Sequence, residues 1–219
     1  ALQHARVVEA GEHYLAHRGA HAWNTRSEHF AQTLARLLEH YGPGSRAIVW
    51  AHNTHIGDAR ATDMVGTGEV NLGQLVRERL GRRAVFALGL GTGTGTVSAA
   101  AGWDGERQIF TLPSPRQDSL EAALLASDDG DRLLVFDPTS PAPVVLRRPL
   151  PHRAIGVVFD PRLEPRRNYV ATLLPERYDA FIFLPETHAL APLRPRRSAV
   201  DTGGATRVRP DVPDAVGAQ

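Results

Sequence analysis

Cysteine is missing from all 219 residues. Disulfides, thiolate nucleophiles and Cys-zinc sites are excluded in one step. Long apolar runs are missing as well. None approaches the ~18 residues of a membrane-crossing helix, and no secretory leader pattern precedes the first helical stretch. The expectation is a cytoplasmic chain with no membrane partner. Charge of one sign is scarce, with 25 Lys and Arg against 24 Asp and Glu for a net +1. So weak a field gives nucleic acid no reason to bind. Aromatics are few (seven Phe, four Tyr, three Trp), and no apolar platform points to a ligand. No Gly-x-Ser-x-Gly elbow occurs. A hydrolase made from this sequence must activate water with His or carboxylate, because it has no Ser elbow or Cys to attack with.

What is present is globular in kind. Hydrophobic residues make up 42% and charged ones 22%, and the length suits one domain with a substantial core. The sequence opens at Ala1, without Met and inside a helical pattern, as a fragment or processed product would. Residues 1–18 read as a helix stopped by Gly19. Asn24 or Thr25 can cap a second, running to about Tyr41 and ended by Gly42-Pro43-Gly44. Ala47-Ile48-Val49 reads as a buried strand, and Val70 to Leu80 as a third helix. Ala84 to Leu90 has the composition of a strand buried on both faces. Further strands are expected at Thr96–Ala100, Gln108–Leu112, Leu133–Phe136, Ala154–Phe159 and Ala180–Leu184, with a short helix from Leu120 to Ala126. From Pro192 onward apolar periodicity is lost, and 194–219 reads as a disordered tail. The fold class is therefore α/β: a mixed, mainly parallel sheet flanked by helices, with an active-site cleft at the carboxyl ends of the strands.

The stretch Trp50-Ala-His-Asn-Thr-His-Ile-Gly-Asp58 sits where the strand at 47–49 should end. His52, Asn53, His55 and Asp58 within seven positions suit a divalent metal or acid–base chemistry. A structural His satisfying backbone at a strand end is the bland alternative. Glu186, just after the apolar run ending at Leu184, would project into the same crevice if the two strands run parallel; otherwise it is a solvated loop residue. Arg26, Glu28 and His29 form a third polar group, which could equally be a solvated helical turn. Gly91-Thr-Gly-Thr-Gly-Thr96 lacks the Lys-Ser/Thr of a phosphate loop, and β-type residues follow it. It reads as a tight connection where backbone passes close to a ligand or neighbour.

Together these residues resemble the erythromycin esterase family. The likeness rests on Trp50–Ala59, on Val70-Asn-Leu-Gly-Gln-Leu75, on Arg177-Tyr-Asp-Ala-Phe-Ile-Phe-Leu-Pro-Glu186, and on Trp23-Asn-Thr-Arg26 with His29. It covers about residues 1–193, as the C-terminal portion of such a domain. The family's Gly-Glu-x-x-His-Gly segment is absent, and Ser27 stands where Asp is usual. The resemblance implies hydrolysis of a small-molecule ester, in named members a macrolide lactone, by water activated by His and Glu. It places His52, His55, Glu186 and Arg26 in the catalytic group, with Asn53, Asp58 and His29 binding substrate. It implies no cofactor; the alternative is a divalent metal held by His52, His55 and Glu186. It also implies that the general base lies in an upstream segment, and that a phosphoribosyltransferase-like domain is a possible upstream neighbour. The competing expectation is a non-catalytic binding domain that keeps the cleft and lacks the base.

Overall fold

The computed structural model describes residues 2–127, 130–137, 139–191 and 193. Helix α1 (Leu2–Ala16) packs along α2 (Gly19–Tyr41) and buries none of its residues. A one-turn helix α3 (Asn53–Ile56) precedes two short 3-10 turns and α4 (Leu72–Leu80). Then come β1 (Leu88–Ala100), β2 (Arg107–Thr111), α5 (Leu120–Ser127), β3 (Arg132–Val135) and β4 (Leu150–Arg153). The described chain closes with α6 (Glu164–Arg167), β5 (Tyr169–Thr172), α7 (Leu174–Arg177) and β6 (Ala180–Thr187).

Four strands form a sheet in the order β2-β1-β6-β3, and β4 pairs with β5 separately. The expected α/β class holds, but the sheet is not mainly parallel. Only β1 with β6 runs parallel, while the β1–β2, β3–β6 and β4–β5 ladders are antiparallel. The reason lies in the connections. The two parallel strands are far apart in sequence, and the segments between them return to the sheet as short antiparallel partners.

One face of this sheet carries the core. Phe181 and Phe183 of β6 are fully buried with Leu120 and Leu124 of α5, Leu174 of α7, and Tyr178. Burying each such aromatic is worth about 1.5–3 kcal/mol. Opposite Phe181 and Phe183, β1 presents Gly89 and Gly91, and a Cβ at Gly91 would stand 2.6 Å from the Phe181 ring. Farther along, Gly95 has φ +107° and passes so close to Thr187 that a Cβ would meet its carbonyl oxygen at 1.9 Å. The Gly-Thr run is thus neither a loop nor an anion cradle. It lies within a single strand whose first half pairs with β6 and whose second half pairs with β2. The two strands expected at Ala84–Leu90 and Thr96–Ala100 are one.

The other face is more open among the described residues. Leu90, Ile182 and Leu133 lie in one row across three strands, and Leu133 and Val135 are 62% and 66% exposed. β1 and β6 are therefore not buried on both faces.

Three further expectations fail. Ala47–Val49 forms no strand and pairs with no described one, and Ile48 is 97% exposed. An apolar run of that kind becomes a buried strand only where a neighbour supplies hydrogen bonds and cover. Ala154–Phe159 contributes a single parallel bridge, Val158 to Ala100, while β4 ends at Arg153. Neither Asn24 nor Thr25 caps α2, which starts five residues before Asn24. Instead, the Asn24 side chain bonds the Val70 amide and the Gly68 carbonyl. The expected tail at 194–219 lies outside the described residues.

Candidate active site

The turn His52–Asp58 is built by its own side chains. His52 is the N-cap of α3: its Nδ1 accepts from the Thr54 amide at 3.3 Å, and its Nε2 lies 3.0 Å from the Ile155 carbonyl. A carbonyl can only accept, so Nε2 carries the proton and Nδ1 the lone pair. Both ring nitrogens are thereby committed. Burial lowers the His52 pKa most, against the Ile155 bond, with help from nearby Arg177 and His152.

Asn53 is committed too. Its Oδ1 accepts from the Leu90 amide at 3.2 Å and its Nδ2 donates to the Leu90 carbonyl at 2.5 Å, as a neighbouring strand would. Asn71 caps α4 through the Gln74 amide and donates to the carbonyls of Thr54 and Gly57. Asp58 is nearly buried. Its carboxylate caps the first 3-10 turn and meets Arg60 at 2.7 Å and Arg77 at 3.4 Å. Burial opposes its charge, but the bonds from Arg60 and the charge of Arg77 hold the Asp58 carboxyl below the usual range. The side chains of Asn53 and Asp58, expected to bind substrate, are held in these scaffold bonds.

His55 differs. Its ring makes no hydrogen bond to a described residue and stacks on Trp23, with centroids 4.8 Å apart and planes 12° from parallel. The indole is fixed in turn by its N–H, which donates to the Val70 carbonyl at 2.7 Å. Burial foremost, then Arg26 and His52, pushes the His55 pKa down to about 4, so the imidazole is neutral at neutral pH. Arg26 lies one helical turn beyond Trp23, with its guanidinium 5.1 Å from the indole centroid. No described carboxylate pairs with Arg26, and its Nε is buried without a partner. A cation left unpaired beside a neutral imidazole is suited to an anion or a developing oxyanion. His29, half-buried on the same helix, makes no hydrogen bond to the group.

Glu186 lies inside β6 opposite Thr94, is solvent-exposed, and its ionic neighbour is His188 at 3.9 Å. Among the described residues no three His, Asp or Glu side chains come together as a metal-binding group. The donor set His52, His55 and Glu186 does not fit a metal here, since His52 has spent both nitrogens and Glu186 stands apart.

Sequence reasoning missed the polar core beneath the turn. Glu121 of α5 and His152 of β4 are fully buried and meet at 2.7 Å, while Arg153 meets Glu164 at 2.7 Å. Arg177, also buried, donates to Thr172 Oγ1 and the Asn53 carbonyl. A lone Glu in the otherwise apolar run Leu120–Ala126 was the available signal. His152 gave none.

The sequence profile of the erythromycin esterase family matches residues 1–187. The chain belongs to the erythromycin esterase family. Solved structures with a similar fold include a succinoglycan biosynthesis protein at 19% identity, covering 78% of this chain and 40% of that one, TM-score 0.63. A protein from Bacillus cereus shares 21% identity over 85% of this chain and 44% of its own, TM-score 0.68. A mutant of the erythromycin esterase EreC in its open conformation shares 21% over 78% and 38%, TM-score 0.54. The chain thus spans less than half the length of these proteins. The family is one of hydrolases. No helix among the described residues is long and apolar enough to cross a membrane.

Proposed function

We propose that this chain supplies the substrate-anchoring and charge-stabilising part of a carboxylic ester hydrolase, of the macrolide-lactone kind. The observation that carries the reading is the pairing of His55, a neutral and unbonded imidazole on Trp23, with Arg26, a cation lacking a described carboxylate partner. Water adds to the acyl carbon as its proton passes to a base. The carbonyl oxygen becomes an oxyanion facing the His55 N–H and Arg26. Collapse of the adduct expels the alkoxide, which takes up the proton, leaving acid and alcohol. His52 holds the turn and does not act on the proton, since both of its nitrogens are engaged.

The base belongs to polypeptide that this stretch does not contain. Two observations support that. No carboxylate among the described residues acts on the charge of His55, and the outer face of the sheet leaves Leu90 and Leu133 exposed on either side of Ile182. Apolar faces of that kind mark surfaces made to be covered. The same absence of a neighbouring base favours a second reading for this stretch by itself, a ligand-binding domain without turnover.

The test is mass spectrometry of a macrolide and a panel of simple esters after incubation. This chain would be run beside the polypeptide extended upstream in the genomic reading frame. Addition of one water by the extended protein, and none by this chain, supports the divided site. Turnover by neither, with binding of the macrolide retained, supports the binding reading.

A further inference from the structure

Below the turn, a chain of polar contacts runs from α5 through β4 to β1, and its orientation follows from one fixed point. The backbone of Leu90, held in β1, offers an N–H and a C=O to Asn53. Asn53 must meet the first with Oδ1 and the second with Nδ2, so the direction of its amide is set. The remaining Nδ2 hydrogen faces His152 Nε2 at 3.4 Å. That nitrogen must then present a lone pair, which leaves the proton of His152 on Nδ1. There it finds Glu121 Oε1 at 2.7 Å. The same oxygen accepts from the Arg153 amide at 3.0 Å.

Each link is consistent with the next. Burial works against the charge of Glu121, but the bonds from His152 and the backbone outweigh it and hold the carboxyl below its ordinary range. The His152 ring is 1% exposed and wedged edge-on against Tyr178 and Phe181. It is not free to rotate to another tautomeric arrangement. The ionisable groups packed around it are Glu121 from α5, Tyr178 and the neutral His52 of the turn, while Arg153 is turned to Glu164.

We propose that His152 is a positioning residue: oriented by Glu121, it presents Nε2 to Asn53 and so fixes the His52–His55 turn on Leu90. The inference rests on reading that turn as part of the site, but its geometry can be measured without turnover. The Leu90 amide, bonded to Asn53 Oδ1, is the reporter.

Two substitutions separate the two ends of the ring. His152→Gln places an amide group where Nε2 sits and keeps an acceptor for Asn53. His152→Asn places one where Nδ1 sits, keeping the Glu121 contact and losing Asn53. By hydrogen exchange on the present chain, the Leu90 amide should exchange about tenfold faster in the Asn variant and near the wild-type rate in the Gln variant. The His55 titration midpoint, read by NMR, should rise toward its ordinary value in the first and stay low in the second. Where the Asn variant does not fold, His152→Leu replaces it with the same expectation. Equal Leu90 exchange in all variants would overturn the proposal. So would equal acceleration in the Gln variant, which would reduce His152 to packing. If the exchange pattern appears and no ester is ever hydrolysed, it is the esterase reading that fails.

Discussion

His55 lies flat on Trp23, and Arg26 stands over the same indole, so one aromatic ring sets the distance between a neutral imidazole and an unpaired cation. The stack is what keeps water off one face of His55. Trp23→Ala should therefore raise the His55 midpoint from about 4 toward the ordinary value, and an NMR titration of the His55 ring reads it. The same shift has a consequence for stability. Because the folded pKa lies below the unfolded one, the unfolded chain binds more protons between the two values. Stability is full above about pH 6.5 and falls as pH drops toward 4, by roughly 1–2 kcal/mol once solvent screening of a part-exposed ring is allowed for. Urea melts at pH 7 and pH 4.5 should show this fall in wild type, and much less of it in His55→Ala.

Arg26 makes no ion pair with a described residue, and its loss should hardly touch the fold. Arg26→Leu is expected to cost under about 1 kcal/mol, the scale of an exposed cation–π contact. Transition-state stabilisation should suffer far more, with kcat in an active, upstream-extended protein falling ~10²–10³-fold. Denaturant melts and kinetics on the same variant separate the two.

Arg77 should behave in the opposite way. Its side chain is 1% exposed and bonds Asp179 at 2.7 Å, Asp58 at 3.4 Å and the Glu176 carbonyl at 3.0 Å. Asp179 in turn accepts from the Ala87 amide just before β1. Arg77→Met removes the close cation of Asp179, leaving Arg82 at 3.8 Å, and leaves Asp58 with Arg60 alone; it should cost about 3–5 kcal/mol, since breaking a buried pair strands the partner. Loss of the cooperative melting transition in Arg77→Met, with Arg26→Leu intact, is the expected contrast.

How much of this was legible in the sequence depended on how local the cause was. Gly42 after α2 marks a helix end through its own backbone and was readable, whereas Asn71, which caps α4 through its side chain, was read as lying inside that helix. Ala180–Leu184 was readable as a strand because its partners are present. Ile48 was misread because strand formation depends on a neighbour, and among the described residues it has none. Gly91–Thr96 was misread as a connection, since glycines that make room for Phe181 look the same in sequence as glycines that make a turn. Within the site, the spacing of His52 and His55 pointed to the turn. It could not say that one ring is bonded at both nitrogens and the other at neither. Glu121 and His152, thirty-one residues apart, meet only through the packing of α5 against β4.

The row of exposed Leu90, half-buried Ile182 and exposed Leu133 gives a further expectation. Leu133→Lys should change the stability of this chain by no more than about 0.5 kcal/mol, as for a surface position. In an upstream-extended protein the same substitution should cost several times more, because the face would be covered there. Thermal melts of the two proteins check it.

The most direct test of the central claim is the kcat of His55→Ala on an ester turned over by the upstream-extended protein. A fall of ~10²–10³-fold, with the melting transition unchanged, is the predicted result. Turnover within about twofold of wild type would contradict it, because the removal of a transition-state donor cannot cost so little.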